Sequence, residues 1–328
     1  MRLVLVQWLI LLPLPSLAAQ SLRFAVVADS QGSGGLAVSE NAFNKVVHLV
    51  LRADPPVDCV IVAGDLTYGF YDNRITAEGF DLWRRIASPW YESEMLGLKV
   101  YPVPGNHDLE NFFWCQMQWQ LAFPELPDNG PDYERKMSYS FDLGPVHFAA
   151  VSTSSPMRRH RVDLEWLARD LGNSTAPVRF VFGHAPAFPY GRHVGGSLDA
   201  HPEDRDRFWQ LLVDHNVAAY FCGHTHIYDH WAKDGVHQIT APPAGACGDA
   251  TGYLIVDVDE NGARVTVYDR DGSVQEAFAL ADYGPNLVEQ RVASEASPSP
   301  VGCGAPLLCL AVAIGLAGVL LSGQDGFS

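Results

Sequence analysis

The chain has 328 residues, 48% of them hydrophobic, with 29 glycines and 22 prolines, which suits one large α/β domain with tails. Its net charge of −16 excludes a general nucleic-acid-binding role, because no run of Lys and Arg is large enough to offset phosphate repulsion. An anionic substrate would have to be attracted by bound metal ions instead.

The first 19 residues have the pattern of an export signal. A basic second residue precedes a Leu-, Val- and Ile-rich stretch that reaches Leu14, and residues 16–19 supply the small side chains that signal peptidase requires. We therefore predict a signal peptide over 1–19 and an exported protein that is extracellular, periplasmic or on the cell surface. A transmembrane anchor is the alternative, which the short apolar run and its two prolines disfavour.

Five near-continuous apolar runs are typical of strands buried on both faces of a sheet. They cover residues 24–28, 59–63, 100–103, 178–182 and 218–222. Helical spacing of apolar residues over 41–52, 80–86 and 205–214 predicts crossover helices before the next strand. Residues 139–151 and 253–268 alternate like strands, the latter around a turn at 260–262, and these late strands indicate a second sheet against the first.

Each apolar run is followed by side chains that bind metals. These segments read Asp29-Ser30-Gln31, Gly64-Asp65-Leu66-Thr67-Tyr68, Gly105-Asn106-His107-Asp108, Gly183-His184 and Gly223-His224-Thr225-His226. Sites in open α/β sheets lie beyond the carboxyl ends of the strands, and glycine lets the backbone turn sharply there. Two cations need ligands from several segments, because one segment cannot surround both. The pattern predicts a metal-dependent phosphoester hydrolase.

The order and content of these segments resemble the calcineurin-like metallophosphoesterases over residues 24–270. The strings at 64–68 and 223–229 are most similar to those of purple acid phosphatases. The resemblance implies an α/β fold, a four-layer α/β-β/α sandwich that forms a single catalytic domain over 20–290. It also implies two divalent or mixed-valence metal ions, Fe, Mn or Zn, at the edge of the sheets.

The resemblance assigns roles to particular residues. Asp29, Asp65 and His226 would hold the first metal, with Gln31 or Tyr68 completing it, and Asp65, Asn106, His184 and His224 would hold the second. A hydroxide between the two metals would attack phosphorus. His107 would assist the leaving group, and Asp108 would orient His107 or serve a helix N-terminus.

Two of these positions keep alternatives open. Tyr68 takes the place of the tyrosine that binds ferric iron in purple acid phosphatases, or it is a rim aromatic. Gln31 stands where most of the family has His and the purple enzymes have Gly. Its neutral amide oxygen is a weaker ligand than imidazole for Zn or Fe, so the first metal would be held less tightly or be Mn-like; alternatively, Gln31 positions water.

The expected substrate is a small phosphoester or a nucleotide, and the sequence does not decide between monoesters and diesters. Segments 112–114 and 190–193 are candidate pocket walls, where aromatic rings would stack on a base or phenyl group and Arg192 would hold a distal phosphate. The alternative, which is the commoner role of such residues, is loop packing with a surface cation. Two other classes compete. One is a non-catalytic surface binding protein on the same fold, and the other is a zinc amidohydrolase, for which only the spacing at 224–226 fits.

The last part of the chain predicts membrane attachment. A Ser/Pro-rich spacer over 291–304 precedes an uncharged apolar segment over 305–321, which is long enough to cross a bilayer or anchor the protein. No Lys or Arg follows it, so a processed lipid-anchoring or sorting signal and a buried helix remain alternatives. Cys115 and Cys247 are predicted to lie in loops, where a bridge is conceivable.

Overall fold

Two six-stranded sheets pack face to face and enclose the main hydrophobic core. The computed structural model describes residues 21–33, 36–69, 73–92, 98–109, 112–245 and 251–282. The ring of Phe24 in the first sheet meets the rings of Phe148 and Phe221 in the second at centroid distances of 5.1 and 5.9 Å. Burial of each such ring stabilises the fold by roughly 1.5–3 kcal/mol, so these contacts fasten the sheets together.

Twelve strands of the described residues form the two sheets. In chain order they are β1 (Leu22–Val27), β2 (Cys59–Ala63), β3 (Lys99–Val103), β4 (Tyr139–Leu143), β5 (Val146–Ala150), β6 (Val178–Phe182), β7 (Ala219–Cys222), β8 (Asp229–Lys233), β9 (Val236–Thr240), β10 (Gly252–Asp259), β11 (Gly262–Asp269) and β12 (Val274–Ala279). The first sheet has the order β12-β11-β10-β1-β2-β3, and the second has the order β4-β5-β6-β7-β9-β8.

Helices cover the outer face of each sheet, which gives the four layers that the resemblance implies. The helices are α1 (Glu40–Leu51), α2 (Asn73–Ile86), α3 (Ser88–Glu92), α4 (Phe112–Ala122), α5 (Leu164–Asn173) and α6 (Pro202–Asp214). Helix α1 buries Phe43, Val46, Val47 and Val50, the apolar stripe expected at 3.6-residue spacing. On the other side, Trp166 and Leu167 of α5 and Phe208 of α6 belong to a separate core cluster with the second sheet.

The five buried strands predicted from the apolar runs are confirmed, but they divide between the sheets. Strands β1, β2 and β3 are parallel neighbours in the first sheet, and β6 and β7 are parallel neighbours in the second. The expectation that the late strands form the second sheet is correct only for β4 and β5. Strands β10 and β11 instead extend the first sheet, because β10 pairs antiparallel with β1 from Leu22↔Val258 to Val26↔Leu254.

Several sequence predictions lie outside the described residues. These are the signal peptide, the spacer, the apolar segment over 305–321, and Cys247. Within the described ranges, no helix combines the length and apolarity that a bilayer crossing needs. Cys115 was expected in a loop, and that expectation is wrong: it lies in α4 and is fully buried.

Candidate metal centre

The backbone at four of the predicted ligands adopts a conformation that residues other than glycine normally avoid. Among the described residues, nine other than glycine have positive φ, and five of these are at this edge of the sheets: Asp29, Asp65, His193, His224 and His226. Left-handed backbone costs about 1–2 kcal/mol per such residue. Strain of this kind gathers at functional sites, where the surrounding structure holds it in place.

Two glycines allow the loops to approach the carboxylates closely. A Cβ atom at Gly105 would lie 2.0 Å from Asp65 Oδ1, and one at Gly223 would lie 2.5 Å from Asp29 Oδ2. Any side chain at either position would therefore displace a predicted ligand. The glycines next to the predicted ligands are thus explained by close approach of neighbouring strand ends.

The first group of predicted ligands is a buried cluster around two carboxylates. One ligand atom from each of Asp29, Asp65 and His226 lies within 4.8 Å of the others. His226 Nε2 is 3.5 Å from Asp29 Oδ1, and both Asp29 oxygens accept from the backbone N–H of His224, at 3.0 and 3.1 Å. The Gln31 amide joins this cluster, since its Nε2 lies 3.1 Å from Asp65 Oδ2 and from His226 Nε2.

The second group shares Asp65 with the first. Ligand atoms of Asp65, His184 and His224 lie within 4.8 Å of one another. His184 Nε2 is at the centre of this group, 3.1 Å from Asp65 Oδ2, 3.2 Å from Asn106 Oδ1 and 3.2 Å from His224 Nδ1. A carboxylate has two oxygens, so Asp65 can face two cations at once.

The far sides of two imidazoles are held by backbone carbonyls. His184 Nδ1 is 2.9 Å from the carbonyl oxygen of Ala63, and His224 Nε2 is 3.3 Å from that of Gly196. Donation to those carbonyls places the remaining lone pair of each ring toward the cluster. This is how a second layer of contacts fixes the tautomer of a metal-binding histidine.

The electrostatics of the second group favour positive charge at its centre. Burial opposes the charged forms, yet the Asp65 carboxylate raises the pKa of His184 to about 9. Burial raises the pKa of Asp65, but the coulombic effects of His184 and His107 outweigh it and hold that pKa well below the usual range. Burial, assisted by His184, lowers the pKa of His224 to about 2. The Asp65 carboxylate thus stabilises positive charge at His184 Nε2, the position where a bound metal ion would replace the proton.

His107 and Tyr68 lie side by side at the cluster. The backbone N–H of His107 donates to Asp65 Oδ1 at 2.9 Å, and its ring stacks on the Tyr68 ring with a centroid distance of 4.6 Å and an interplanar angle of 25°. The Tyr68 backbone is fixed by a 2.6 Å hydrogen bond from its N–H to the Ala37 carbonyl. The ring of Tyr68 thus limits the orientations of the His107 ring.

Asp108 connects the second and third predicted segments. Its fully buried carboxylate accepts from the backbone N–H groups of Leu66, Thr67 and Gly105, at 3.1, 3.0 and 2.9 Å. Burial and the nearby Asp65 raise the pKa of Asp108 to about 7, against the effect of these hydrogen bonds. Those contacts support a positioning role for Asp108, because it joins the loops that carry Asp65 and Asn106.

A further histidine, His193, reaches the second group from the loop after β6. Its ring centroid lies 4.3 Å from that of His224 and 6.5 Å from that of His226. Sequence reasoning placed His193 only in a candidate pocket wall, because nothing in its local string distinguishes it from a surface histidine. The positive φ of His193 is the feature that marks it as part of the site, and the sequence alone does not reveal that backbone conformation.

The side chains of two residues in the first candidate pocket wall, at 112–114, are described by the structure. Phe113 and Trp114 are exposed by 69% and 50%, with their rings 6.0 Å apart at the start of α4. Burial lowers the pKa of His193, and the positive charge of the neighbouring Arg192 lowers it further. The proposed substrate contacts of these residues stay predictions.

The residues fit a pair of metal ions by the chemistry of their donors. Two carboxylates, three imidazoles and two side-chain amides converge from five loops, and these oxygen and nitrogen donors suit first-row divalent metals. In addition, Gln31 Oε1 is buried and has no hydrogen-bond partner among the described residues. A buried carbonyl oxygen without a partner is costly, and a half-turn of the amide would bring it to the side of Asp65 and His226, where a cation would satisfy it.

A family model and several curated proteins match this chain. The family model described as calcineurin-like phosphoesterase matches residues 22–228. Purple acid phosphatase 23 of Arabidopsis thaliana is 25% identical over 285 residues, covering 76% of this chain and 56% of that protein. The chain spans about half the length of the curated relatives it matches.

Two solved structures share the fold. A purple acid phosphatase from Lupinus luteus seeds has a TM-score of 0.64 at 16% identity, covering 79% of this chain and 53% of that one. A dimetal phosphatase from Danio rerio has a TM-score of 0.56 at 15% identity, covering 79% of this chain and 98% of that one. The predicted four-layer fold is therefore confirmed.

Proposed function

The chain belongs to the calcineurin-like phosphoesterase family, and on that premise we propose that it is an exported hydrolase of phosphomonoesters or phosphodiesters. The observation that carries the proposal is the position of Asp65, whose carboxylate belongs to both buried ligand groups. One residue shared by two groups is the arrangement that two neighbouring cations require. Export rests on the sequence of residues 1–19.

The ligands divide into two sets around Asp65. Asp29, Asp65 and His226 would hold one metal ion, and Asp65, Asn106, His184 and His224 would hold the other. Such ions, when bound, activate water as a nucleophile near neutral pH and offset the charge of the phosphate oxygens.

His107 is the residue best placed to assist the leaving group. Its backbone is tied to Asp65 and its ring is backed by Tyr68, so the imidazole is held beside the centre without being needed as a ligand. An imidazole can donate a proton to the departing alkoxide or phenoxide, an effect of about 10²–10⁴-fold in rate. His193 lies against His224 on another side, where it can hydrogen-bond a phosphate oxygen.

The substrate is attracted locally and not by the protein as a whole. A net charge of −16 repels a phosphoester at long range, whereas bound metal ions and Arg192 would attract it at short range. We expect the ester group to enter beside Arg192 and His193, with the exposed Phe113 and Trp114 available for an aromatic leaving group.

The test is a paired measurement on the full chain. Bound metals are counted by mass spectrometry, and hydrolysis of one aryl phosphomonoester and one aryl phosphodiester is assayed on the same sample. About two metals per chain with turnover of either ester supports the proposal and ranks the substrates. Two bound metals with no turnover of either ester or of a nucleotide panel would favour a non-catalytic binding protein.

A control variant distinguishes the loss of a site residue from the general effect of removing any histidine. His215→Ala changes a partly exposed histidine at the end of α6, outside both ligand groups. That variant should keep the metals and the activity of the wild type.

A further inference from the structure

Gln31 is the residue of the first ligand group that the proposed function leaves without a role. Its side chain is only 4% exposed, and its backbone is fixed by donation from the Gln31 N–H to the Asp65 carbonyl at 3.0 Å. The amide nitrogen lies 3.1 Å from both Asp65 Oδ2 and His226 Nε2. The amide therefore faces two predicted metal ligands, and the backbone hydrogen bond fixes the residue in that position.

The oxygen of that amide has no hydrogen-bond partner among the described residues. Gln31 Oε1 is buried, and a buried acceptor without a donor destabilises the fold. The two ends of a glutamine amide have nearly the same shape, so a half-turn of the amide exchanges nitrogen and oxygen without moving the rest of the side chain. The oxygen then faces Asp65 and His226, where a cation would satisfy it.

With Gln31 included, the two ligand groups differ in their imidazole content. The first group contains Asp29, Asp65, Gln31 and His226, which is one imidazole and three oxygen donors. The second contains Asp65, Asn106, His184 and His224, which is two imidazoles and two oxygen donors. A histidine in place of Gln31 would make the imidazole counts equal.

We propose that Gln31 gives its amide oxygen to the first metal and makes that subsite the harder of the two, so the two bound ions exchange in a fixed order. This inference rests on the proposed two-metal site. Imidazole favours Zn²⁺ over Mn²⁺, whereas neutral and anionic oxygen donors discriminate less between them. Zn²⁺ should therefore displace Mn²⁺ from the second subsite first and from the first subsite only at higher concentration.

The experiment is a metal exchange on the full chain. The protein is stripped of metal, loaded with two Mn²⁺, and titrated with Zn²⁺ at buffered free concentrations. Released Mn²⁺ is followed by electron paramagnetic resonance, and bound metals are counted by mass spectrometry. The wild type should lose its two Mn²⁺ in two steps that differ at least tenfold in free Zn²⁺.

Three variants define the role of Gln31. Gln31→His should bring the two steps within about threefold, because both subsites then have two imidazoles. Gln31→Glu keeps a hard oxygen and should retain two separated steps. Gln116→His adds a histidine on α4, where Gln116 donates to the Tyr133 carbonyl outside both groups, and should behave as the wild type.

The outcomes separate this inference from the proposed function. A single step in the wild type, or two unchanged steps in a folded Gln31→His, would overturn the ligand role of Gln31. If Gln31→His does not fold by circular dichroism, merged steps in Gln31→Glu would overturn it instead. Two-step exchange in a protein that hydrolyses no phosphoester would support the inference and refute the proposed activity, while fewer than two bound Mn²⁺ would refute both.

Discussion

The backbone N–H of His107 donates to Asp65 Oδ1 at 2.9 Å, so the proposed proton donor is tied to the carboxylate that both ligand groups share. The bond uses the main chain of His107 and not its ring. Position and chemistry are therefore carried by different parts of one residue. This separation makes the two roles distinguishable by substitution.

His107→Ala is expected to lower kcat by about 10²–10³-fold while leaving the metal content near that of the wild type. The backbone bond to Asp65 survives the substitution, so the ligand group keeps its geometry. Asp65→Ala should lose metal and activity together, because one residue is removed from both groups. The measurement is kcat with metal stoichiometry on the same preparation, and equal metal loss in both variants would remove His107 from its proposed role.

Tyr68→Phe should change kcat by no more than about threefold, because the stacked ring that restrains His107 is kept. Tyr68→Ala should lower kcat by about tenfold, because the His107 ring then gains freedom. Both variants are compared by kcat, metal content and visible absorption of the iron-loaded protein. Loss of a metal ion in Tyr68→Phe would instead identify the phenol as a ligand.

Asp108→Asn is expected to destabilise the protein by about 2–3 kcal/mol. The carboxylate accepts three backbone N–H groups, and an amide offers one oxygen in place of two, so a buried donor is left without an acceptor. Urea unfolding of the variant and the wild type measures the difference. A large fall in kcat at unchanged stability would contradict this and support direct orientation of His107 by Asp108.

The positions of the ligand segments were predictable because their signals are local. An apolar run followed by glycine and a carboxylate or imidazole is visible in each short segment, and parallel strands bring such ends to one edge. Asp65 illustrates this, since its place after β2 follows from residues 59–65 alone.

The division of strands between sheets could not be predicted in the same way. The apolar runs of β2 and β6 look alike, and pairing partners are chosen by contacts far apart in the chain. The placement of β10 beside β1 depends on contacts between residues more than 200 positions apart, such as Leu22↔Val258. Likewise, the approach of His193 to His224 is set by the loop after β6 and has no local signature.

Glu134 provides a prediction away from the metal centre. This residue is fully buried in the short 3-10 turn at Asp132–Glu134, where its Oε2 accepts from Ser138 Oγ at 2.6 Å. Burial raises the pKa of Glu134 to about 7, against the effects of Ser138 and Ser155. The folded state therefore prefers the protonated acid.

The sign of the resulting pH dependence follows from that preference. A carboxyl group whose pKa is higher in the folded than in the unfolded state stabilises the fold fully below the unfolded pKa, near 4.5, and this contribution is lost as pH rises through about 7. The difference between pH 5 and pH 8 is on the order of 3 kcal/mol. Glu134→Gln keeps the side chain neutral at both values, so its stability relative to the wild type should be higher at pH 8 than at pH 5. Urea unfolding of both proteins at the two pH values measures this change, and a stability difference that is the same at both would show that Glu134 is ionised in the folded protein throughout.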